Sequence, residues 1–355
     1  MRERPPLSDR DLAAAVAAGW GVAAVSVEFL PVGDDSRAWS FRVVAGDGGR
    51  QFLKVRRGPV DPAAVLVPMF LRNQGFEQVV AAVPAVAGDP WRPLDGFTVL
   101  LYPWVEGVPA MERGLTDRQW VALGRFVAVL HRTVLPPSLA ATVTRERFVP
   151  WGAGPVRALD RQLGQARPGD PLGGELAGLW QAHRAVIRFA ADRAERLGRV
   201  VADAGPRLVL CHADLHTANL LVDADDRLFV VDWDGVQLAP AERDLLFVAA
   251  GSERARFFDG YGPVTMDPAV VAYFRWEWVV QELADYGGRV VDGRLGEDTR
   301  RHALEEFRRL FAPGDLVEAA RVADRELSLA RGRRGGRPAG GGGGSRRPPP
   351  GRPGG

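Results

Sequence analysis

One segment constrains this chain more than any other: C-H-A-D-L-H-T-A-N-L-L-V-D-A-D-D-R-L-F-V-V-D-W-D at residues 211–234. Two short apolar runs flank the polar stretch 223–227, a pattern that predicts a β-hairpin. In an antiparallel hairpin, the first residue of one strand lies beside the last residue of its partner. We therefore expect Asn219 and Asp232 to meet at the open end of the hairpin, with Asp214 on the loop just before it.

The side chains that would meet there suit one kind of chemistry. The amide of Asn219 and the carboxylate of Asp232 offer hard oxygen ligands, which suit Mg²⁺ bound jointly with phosphates. The carboxylate of Asp214 could accept a proton from an alcohol, and phosphoryl transfer needs a metal clamp, a base and in-line positioning. The alternative is an ordinary polar turn with His212 as a buried structural histidine. The H-x-D-x-x-x-x-N spacing, followed thirteen residues later by an aspartate, argues against that alternative.

Strand patterns come first along the chain. A capping box at Ser8 opens a short helix. Residues that favour β-structure follow in three runs, with a hairpin turn at 45–49 before the third: 25–32, 37–44 and 50–56. Asp61 then caps a helix that extends to Gly75, and Pro68 inside it should kink the helix or end it early.

Helical patterns dominate after a buried strand and connector at 97–107. An amphipathic helix is predicted at 116–133 and a long helix at 175–204. The section between them, 136–174, is rich in proline and glycine and is expected to contain an irregular insertion. The order predicts an α+β protein with a β-rich N-lobe and a mostly helical C-lobe. We assign the N-lobe to residues 1–103, the C-lobe to 104–330, and a disordered tail of Arg, Gly and Pro to 331–355.

Charge and cysteine content narrow the class of partner. The formal net charge is +2, and removing the seven arginines of the acid-free tail leaves a body at −5. An acidic body fits a small cationic molecule and gives no reason to expect nucleic acid. Cys211 is the only cysteine, so no internal disulfide can form, which predicts a reducing, cytoplasmic location. No apolar run reaches the ~18 residues that a membrane span requires.

The segment His212-Ala-Asp214-Leu-His-Thr-Ala-Asn219 resembles the catalytic loop of the protein-kinase-like fold, in the form used by aminoglycoside phosphotransferases. D-W-D at 232–234 stands where protein kinases carry D-F-G. The longer runs F-L-K-V-R-R-G, L-D-G-F-T-V-L-L-Y-P-W-V-E-G and V-D-W-D-G-V-Q-L-A-P-A-E-R-D-L-L-F-V are most similar to the spectinomycin phosphotransferase branch. The resemblance covers about residues 8–330 and implies a two-lobe kinase-like fold.

The resemblance also implies a role for each matching residue. Asp214 would be the base that orients and deprotonates the substrate hydroxyl, and Asn219 and Asp232 would hold Mg²⁺. Lys54 would contact the α- and β-phosphates of ATP, while His212 would shape the catalytic loop. The backbone of the hinge would bind adenine: Leu101, Tyr102 and Trp104.

Two features depart from the kinase pattern. The stretch V-G-D-D-S-R-A-W-S occupies the phosphate-loop position but contains only one glycine. Ser36 could supply a hydrogen-bond donor to the phosphates there, and an ordinary hairpin turn is the alternative.

Lys54 is the only lysine in the chain, beside 45 arginines, and a compact ammonium suits a crowded phosphate contact better than a forked guanidinium. The helix after Lys54 contains no glutamate, so its usual partner is missing.

Three further polar residues recur on one face of the helical pattern at 272–288. Glu277, Gln281 and Asp285 are spaced four residues apart and would help to bind a cationic aminocyclitol, with a solvated helix face as the alternative. Asp244 is interpreted as a buried brace of the catalytic loop.

The sequence thus predicts an ATP- and Mg²⁺-dependent O-phosphotransferase that acts on a hydroxyl of an aminoglycoside or aminocyclitol antibiotic, with spectinomycin as the first candidate, and so gives resistance. A metabolic kinase of the same fold acting on an amino alcohol or sugar is the first alternative. A nucleotide-binding pseudoenzyme is the second.

Overall fold

The fold was analysed in a computed structural model, which describes residues 3–33, 35, 37–86, 88–164, 170–248 and 252–335. The N-terminal part is built on a five-stranded antiparallel sheet in the order β1-β2-β3-β5-β4. Its strands are β1 (Ala24–Leu30), β2 (Ala38–Ala45), β3 (Arg50–Arg57), β4 (Trp91–Leu94) and β5 (Phe97–Pro103). The three strands and the 45–49 turn predicted from the sequence are confirmed, because Ala45 and Gly49 close the β2–β3 hairpin.

One face of the sheet is covered by helix α1 (Asp9–Trp20). The hydroxyl of Ser8 caps this helix by accepting a hydrogen bond from the backbone N–H of Asp11, as the capping box predicts. Leu12 and Val16 of α1 pack with alternate residues of the strands, including Phe41 and Leu53, in one apolar cluster. The opposite face of β3 therefore carries Lys54 and Arg56.

Helix α2 (Pro62–Asn73) begins where the sequence predicts, with the Asp61 side chain accepting from the N–H of Ala63. The expectation that Pro68 would end the helix early is wrong, since α2 continues for five residues beyond it. Pro68 is buried, and α2 also buries Val67 and Leu71 in the core. This packing offsets the backbone hydrogen bond that a proline removes.

Helices dominate the rest of the chain, which supports the mixed α+β class. They are α3 (Ala110–Arg113), α4 (Asp117–Leu130), α5 (Pro137–Ala140), α6 (Ala153–Leu163), α7 (Pro171–Ala204), α8 (Glu242–Leu245), α9 (Ser252–Tyr261), α10 (Pro268–Val291), α11 (Glu297–Arg309) and α12 (Leu316–Gly335). The section 136–174 also contains a helix that the sequence analysis did not predict, because α6 lies within it and buries Val156 and Leu159 against α7. Helix α12 runs five residues past the predicted start of the tail at 331, and residues 336–355 lie outside the described part.

Short strands position the functional segment within the helical part. They are β6 (Gly107–Pro109), β7 (Val209–Cys211), β8 (Leu220–Asp223), β9 (Leu228–Val230) and β10 (Gln237–Ala239), arranged as a sheet β6-β8-β9 and a ribbon β10-β7. The segment before β4 pairs with this sheet, since Val80 donates its N–H to the Val230 carbonyl and Val230 donates to Gln78. These hydrogen bonds hold the β8–β9 hairpin against residues 78–80, in the segment that leads into β4 of the N-terminal sheet.

Candidate active site

The predicted hairpin is present as β8 and β9, and its turn is organised by one carboxylate. Asp223 Oδ1 accepts the N–H groups of Asp225 and Arg227, each at 2.9 Å. At the open end, Val231 donates its N–H to the Asn219 carbonyl at 3.0 Å. Asn219 lies in a short 3₁₀ turn (Thr217–Asn219), one residue before the strand that the sequence assigned to it.

The residues of the predicted catalytic loop are joined directly by hydrogen bonds. Asn219 Nδ2 donates to the Asp214 carbonyl oxygen at 2.8 Å and to Asp214 Oδ2 at 3.0 Å. His216 Nε2 lies 3.5 Å from the same Oδ2, and His216 Nδ1 accepts from the N–H of Ala218. The loop therefore holds Asp214 and Asn219 side by side.

The neighbouring histidines keep Asp214 ionised despite its burial. Burial alone would raise the pKa of its carboxyl, but His216 and, more weakly, His212 outweigh this and lower the pKa. The reciprocal effect raises the pKa of His216: burial opposes its charged form, and Asp214 favours it more strongly. Asp214 is thus a carboxylate at neutral pH and can accept a proton.

Asp244 holds the predicted catalytic loop in place through hydrogen bonds to its backbone. Its fully buried carboxylate accepts from the N–H of His212 at 3.0 Å and of Ala213 at 2.7 Å. Ala213 has a φ of +68°, a left-handed conformation that costs an L-residue about 1–2 kcal/mol. His131 and Cys211 also surround Asp244, and His131 Nε2 lies 3.0 Å from it. With both oxygens of Asp244 accepting backbone N–H groups, these residues serve better as a hydrogen-bonded brace than as a metal cluster.

His212 connects the loop to the D-W-D segment. Its Nε2 donates to the Val231 carbonyl at 3.0 Å, and its Nδ1 accepts from the N–H of Asp214 at 3.3 Å. The ring also packs against Trp233, with centroids 4.6 Å apart. His212 is completely buried, so it acts on the loop through these contacts alone.

The partner that the sequence could not supply for Lys54 is a pair of aspartates. Lys54 Nζ lies 3.0 Å from Asp232 Oδ1 and 3.0 Å from Asp234 Oδ2. Burial would lower the pKa of Lys54, but these two carboxylates raise it above its usual value, and Lys54 in turn lowers the pKa of Asp232. The second aspartate of D-W-D thus takes the place of the missing helix glutamate.

The donor set fits a hard divalent cation. Because Asn219 Nδ2 donates twice to Asp214, its Oδ1 is directed away from that carboxylate. Asp232 offers a second oxygen, with 47% of its side chain exposed. An amide oxygen and a partly exposed carboxylate beside a lysine are the ligands expected for Mg²⁺ bound with phosphates.

The other residues predicted to bind the nucleotide are Leu101, Tyr102, Trp104 and Ser36. Leu101 and Tyr102 lie at the end of β5, and Trp104 follows it directly. The Leu101 carbonyl accepts from the N–H of Val83 at 2.7 Å and is therefore already engaged. Ser36 lies outside the described residues.

The three predicted substrate residues do not form a uniform row on α10. Glu277 is buried and pairs with Arg243 at 3.0 Å, whereas Asp285 pairs with Arg289 one turn further on. A solvated face therefore does not describe Glu277. Gln281 lies between them and is half-buried. Contact of these side chains with a substrate stays a prediction.

Sequence reasoning missed Glu282, which lies next to Gln281 on α10. Its carboxylate accepts from Trp278 Nε1 at 3.0 Å. Burial and the nearby charge of Asp285 raise its pKa to about 7, and Asp214 adds to the effect. The charge of Glu282 also contributes, more weakly than Asp214, to the raised pKa of His216. No sequence signal separates it from other acids on this helix, because only the fold determines which one faces the loop.

A comparison with known protein families assigns the chain that carries this site to one of them. The model of the phosphotransferase enzyme family, APH, matches residues 28–307, which include every predicted site residue. The chain is a member of this phosphotransferase family. It is therefore a kinase-type enzyme of the aminoglycoside phosphotransferase family, as the sequence predicts, and its kinase-like α+β fold is confirmed.

The phosphotransferase is also similar to individual proteins. Protein StrN of Streptomyces griseus is 28% identical over 284 residues, covering 76% of this chain and 82% of that protein. The structure of spectinomycin phosphotransferase APH(9)-Ia, in complex with ADP and spectinomycin, superposes with a TM-score of 0.80 at 24% identity, over 90% of this chain and 100% of that one. A microcompartment-associated aminopropanol kinase gives a TM-score of 0.56 at 20% identity, over 90% and 98%.

Among the helices in the described part of the phosphotransferase, none combines the length and apolar character needed to cross a bilayer.

Proposed function

We propose that this phosphotransferase transfers the γ-phosphoryl group of ATP to a hydroxyl of an aminocyclitol or aminoglycoside, with spectinomycin as the first candidate acceptor. One observation carries the proposal: an ionised Asp214 hydrogen-bonded to Asn219, beside a lysine that faces Asp232. A base, two oxygen ligands and a phosphate-binding cation are the parts that phosphoryl transfer to an alcohol requires.

In this account the nucleotide is held from two sides. Lys54 contacts the phosphates, and the main chain from Leu101 to Trp104 receives the adenine ring. Asn219 Oδ1 and Asp232 would hold Mg²⁺, which when bound neutralises phosphate charge. With the cation bound, the carboxylate of Asp232 would be shared between Lys54 and the metal.

Asp214 acts on the acceptor. Its carboxylate binds the hydroxyl proton and orients the oxygen in line with the phosphorus. The new O–P bond forms as the bond to the leaving ADP oxygen breaks, and the proton passes to Asp214 and then to solvent. Hydrogen bonds from Asn219 and the charge of His216 fix the carboxylate in this position. No covalent enzyme intermediate is involved.

Acidic groups near the base support an acceptor that carries ammonium groups. Glu282 and Asp285 lie on α10, and the charge of Glu282 acts on Asp214. The likeness to APH(9)-Ia, which was crystallised with spectinomycin, favours an aminocyclitol over other amines. Phosphorylation of such an antibiotic would inactivate it and give resistance.

The alternatives make different predictions. The likeness to an aminopropanol kinase favours a metabolic kinase for an amino alcohol, which the same acidic groups would accept. A pseudoenzyme would bind Mg·ATP and phosphorylate nothing, and the presence of Lys54, Asp214, Asn219 and Asp232 argues against it.

An acceptor panel separates these functions. Purified protein with Mg·ATP would be offered spectinomycin, other aminoglycosides, amino alcohols and sugars, and each product would be identified by mass spectrometry. The proposal predicts a monophosphorylated aminocyclitol, with the highest kcat/KM in the panel. Preferential phosphorylation of an amino alcohol would replace it with the metabolic function.

A further inference from the structure

Strand β3 carries a second cation on the same face as Lys54. Side chains alternate along a strand, and Leu53 and Val55 are fully buried under α1. Lys54 and Arg56 therefore both point to the opposite face, about 7 Å apart along the strand. That face is the one that meets Asp232 and Asp234.

Arg56 extends the ion pairs of Lys54 in one direction. Its Nη1 lies 2.8 Å from Asp234 Oδ2 and 2.8 Å from Asp35 Oδ2. The charges alternate in the order Asp232, Lys54, Asp234, Arg56 and Asp35, with Asp234 shared by the two cations. The guanidinium is thus held in position with 22% of its side chain exposed.

Strand register shows where Arg56 lies relative to the hinge. Along the β3–β5 ladder, Phe52 pairs with Tyr102, Lys54 with Leu100, and Arg56 with Thr98. The hinge is at the Tyr102 end, so Arg56 lies beyond Lys54 on the side away from the adenine position. A nucleotide that extends from the hinge past Lys54 brings its terminal phosphate toward Arg56.

We propose that Arg56 contacts the terminal phosphate of the nucleoside triphosphate and discriminates it from the mono- and diphosphate. Asp234 and Asp35 hold the guanidinium ready before the nucleotide binds. A planar guanidinium suits phosphate oxygens, because two of its N–H groups can donate side by side. The inference rests on the proposed ATP-dependent function and adds a residue to its nucleotide site.

The test measures the affinity of wild-type and variant protein for AMP, ADP and a non-hydrolysable ATP analogue by calorimetry with Mg²⁺. Arg56→Gln should weaken binding of the triphosphate analogue by about tenfold and of ADP by less. Affinity for AMP should stay unchanged, since AMP ends short of Arg56. Arg56→Lys, which keeps the charge but loses the fork, should lose less than Arg56→Gln.

The neighbouring arginine provides a matched control. Arg57 points away from this site and stacks over Trp39 and Phe97, at 5.6 and 5.2 Å from the ring centroids. Arg57→Gln should leave all three affinities unchanged.

Two results would overturn the inference: an unchanged triphosphate affinity in Arg56→Gln, or an equal loss for AMP, which would indicate a purely structural role. If Arg56→Gln does not fold, equal affinities of Arg56→Lys and wild type for the triphosphate would overturn it as well. If wild-type protein binds no triphosphate, the proposed ATP-dependent function fails. If wild type binds the triphosphate and Arg56→Gln binds it equally well, only the inference about Arg56 fails. The two failures are therefore distinguishable.

Discussion

At the scale of single residues, the site is a set of charges that balance each other. Lys54 bridges Asp232 and Asp234, while Asp214 is balanced by His216. The sequence pointed to Lys54 and Asp214 through composition and spacing. It could not point to the pairing of Lys54 with Asp234, because 180 positions separate them in the chain and only the fold brings them within 3.0 Å.

Replacing the only lysine should be costly even with another cation. Lys54 Nζ is a compact group that lies 3.0 Å from both carboxylates, and a guanidinium is larger and forked. Lys54→Arg should raise KM for ATP or lower kcat by at least about tenfold, equivalent to ~1.4 kcal/mol. Steady-state kinetics with varied ATP measures both constants. Arg57→Lys is the control exchange and should match wild type, whereas wild-type kinetics in Lys54→Arg would refute the phosphate role.

Glu282 should make stability depend on pH. Burial, and then the charges of Asp285 on its own helix and Asp214 on the loop, raise its pKa from 4.5 to about 7 on folding. Below pH 4.5 the carboxyl is protonated in both states. Between pH 4.5 and 7 only the unfolded chain loses the proton, so the folded state loses stability as pH rises, and the full cost remains above pH 7.

Glu282→Gln removes this titration. The variant should exceed wild type in free energy of unfolding by about 1–3 kcal/mol at pH 8, with the difference shrinking toward pH 4.5. Denaturant unfolding at several pH values measures it. Glu305→Gln, at an exposed position of α11, is the control for replacing a glutamate as such. A pH-independent difference for Glu282→Gln would contradict the assignment.

At the scale of elements, most of the fold follows from local patterns. The capped helices, the β2–β3 hairpin and the functional hairpin were all predicted, because caps, turns and alternation act over a few residues. The two errors, at Pro68 and in the section containing α6, arise where burial outweighs local preference. Tertiary packing of that kind has no signature within a short window.

The crossing of α4 and α9 shows such a packing requirement. A Cβ at Gly124 would lie 2.0 Å from the Phe257 carbonyl oxygen, and one at Gly260 would lie 2.0 Å from that of Val121. The two helices therefore approach each other through glycines. This contact holds α4, which also carries His131 at its C-terminal end, close to Asp244.

Alanine should have opposite effects on stability at a glycine in a close helix contact and at a helical glycine surrounded by open space. Gly124→Ala forces α4 and α9 apart and should destabilise the protein by about 1–3 kcal/mol or more. Gly178 lies in α7, and a Cβ added there would meet no atom within 4 Å. Gly178→Ala should therefore stabilise the protein by about 0.5–1 kcal/mol. Thermal or denaturant unfolding compares them. A neutral Gly124→Ala would show that the helices can separate without cost.

At the scale of the whole molecule, the fold brings together groups from distant parts of the chain. β3 supplies Lys54, the functional hairpin supplies Asn219 and Asp232, and α10 supplies Glu282. The sequence predicted the two-part α+β organisation and the catalytic loop, since a single motif carries them. It could not predict which side of α10 faces the loop, because that depends on the packing of α10 against α7 and α12.

The account as a whole depends on Asp214. The most direct measurement is single-turnover phosphorylation of spectinomycin, or of the best acceptor in the panel, by wild type and by Asp214→Asn, with binding of Mg·ATP measured in parallel. The account predicts that Asp214→Asn binds Mg·ATP like wild type but transfers the phosphoryl group at least about a hundredfold more slowly, the range expected for loss of a general base. Near-wild-type transfer by Asp214→Asn would contradict it.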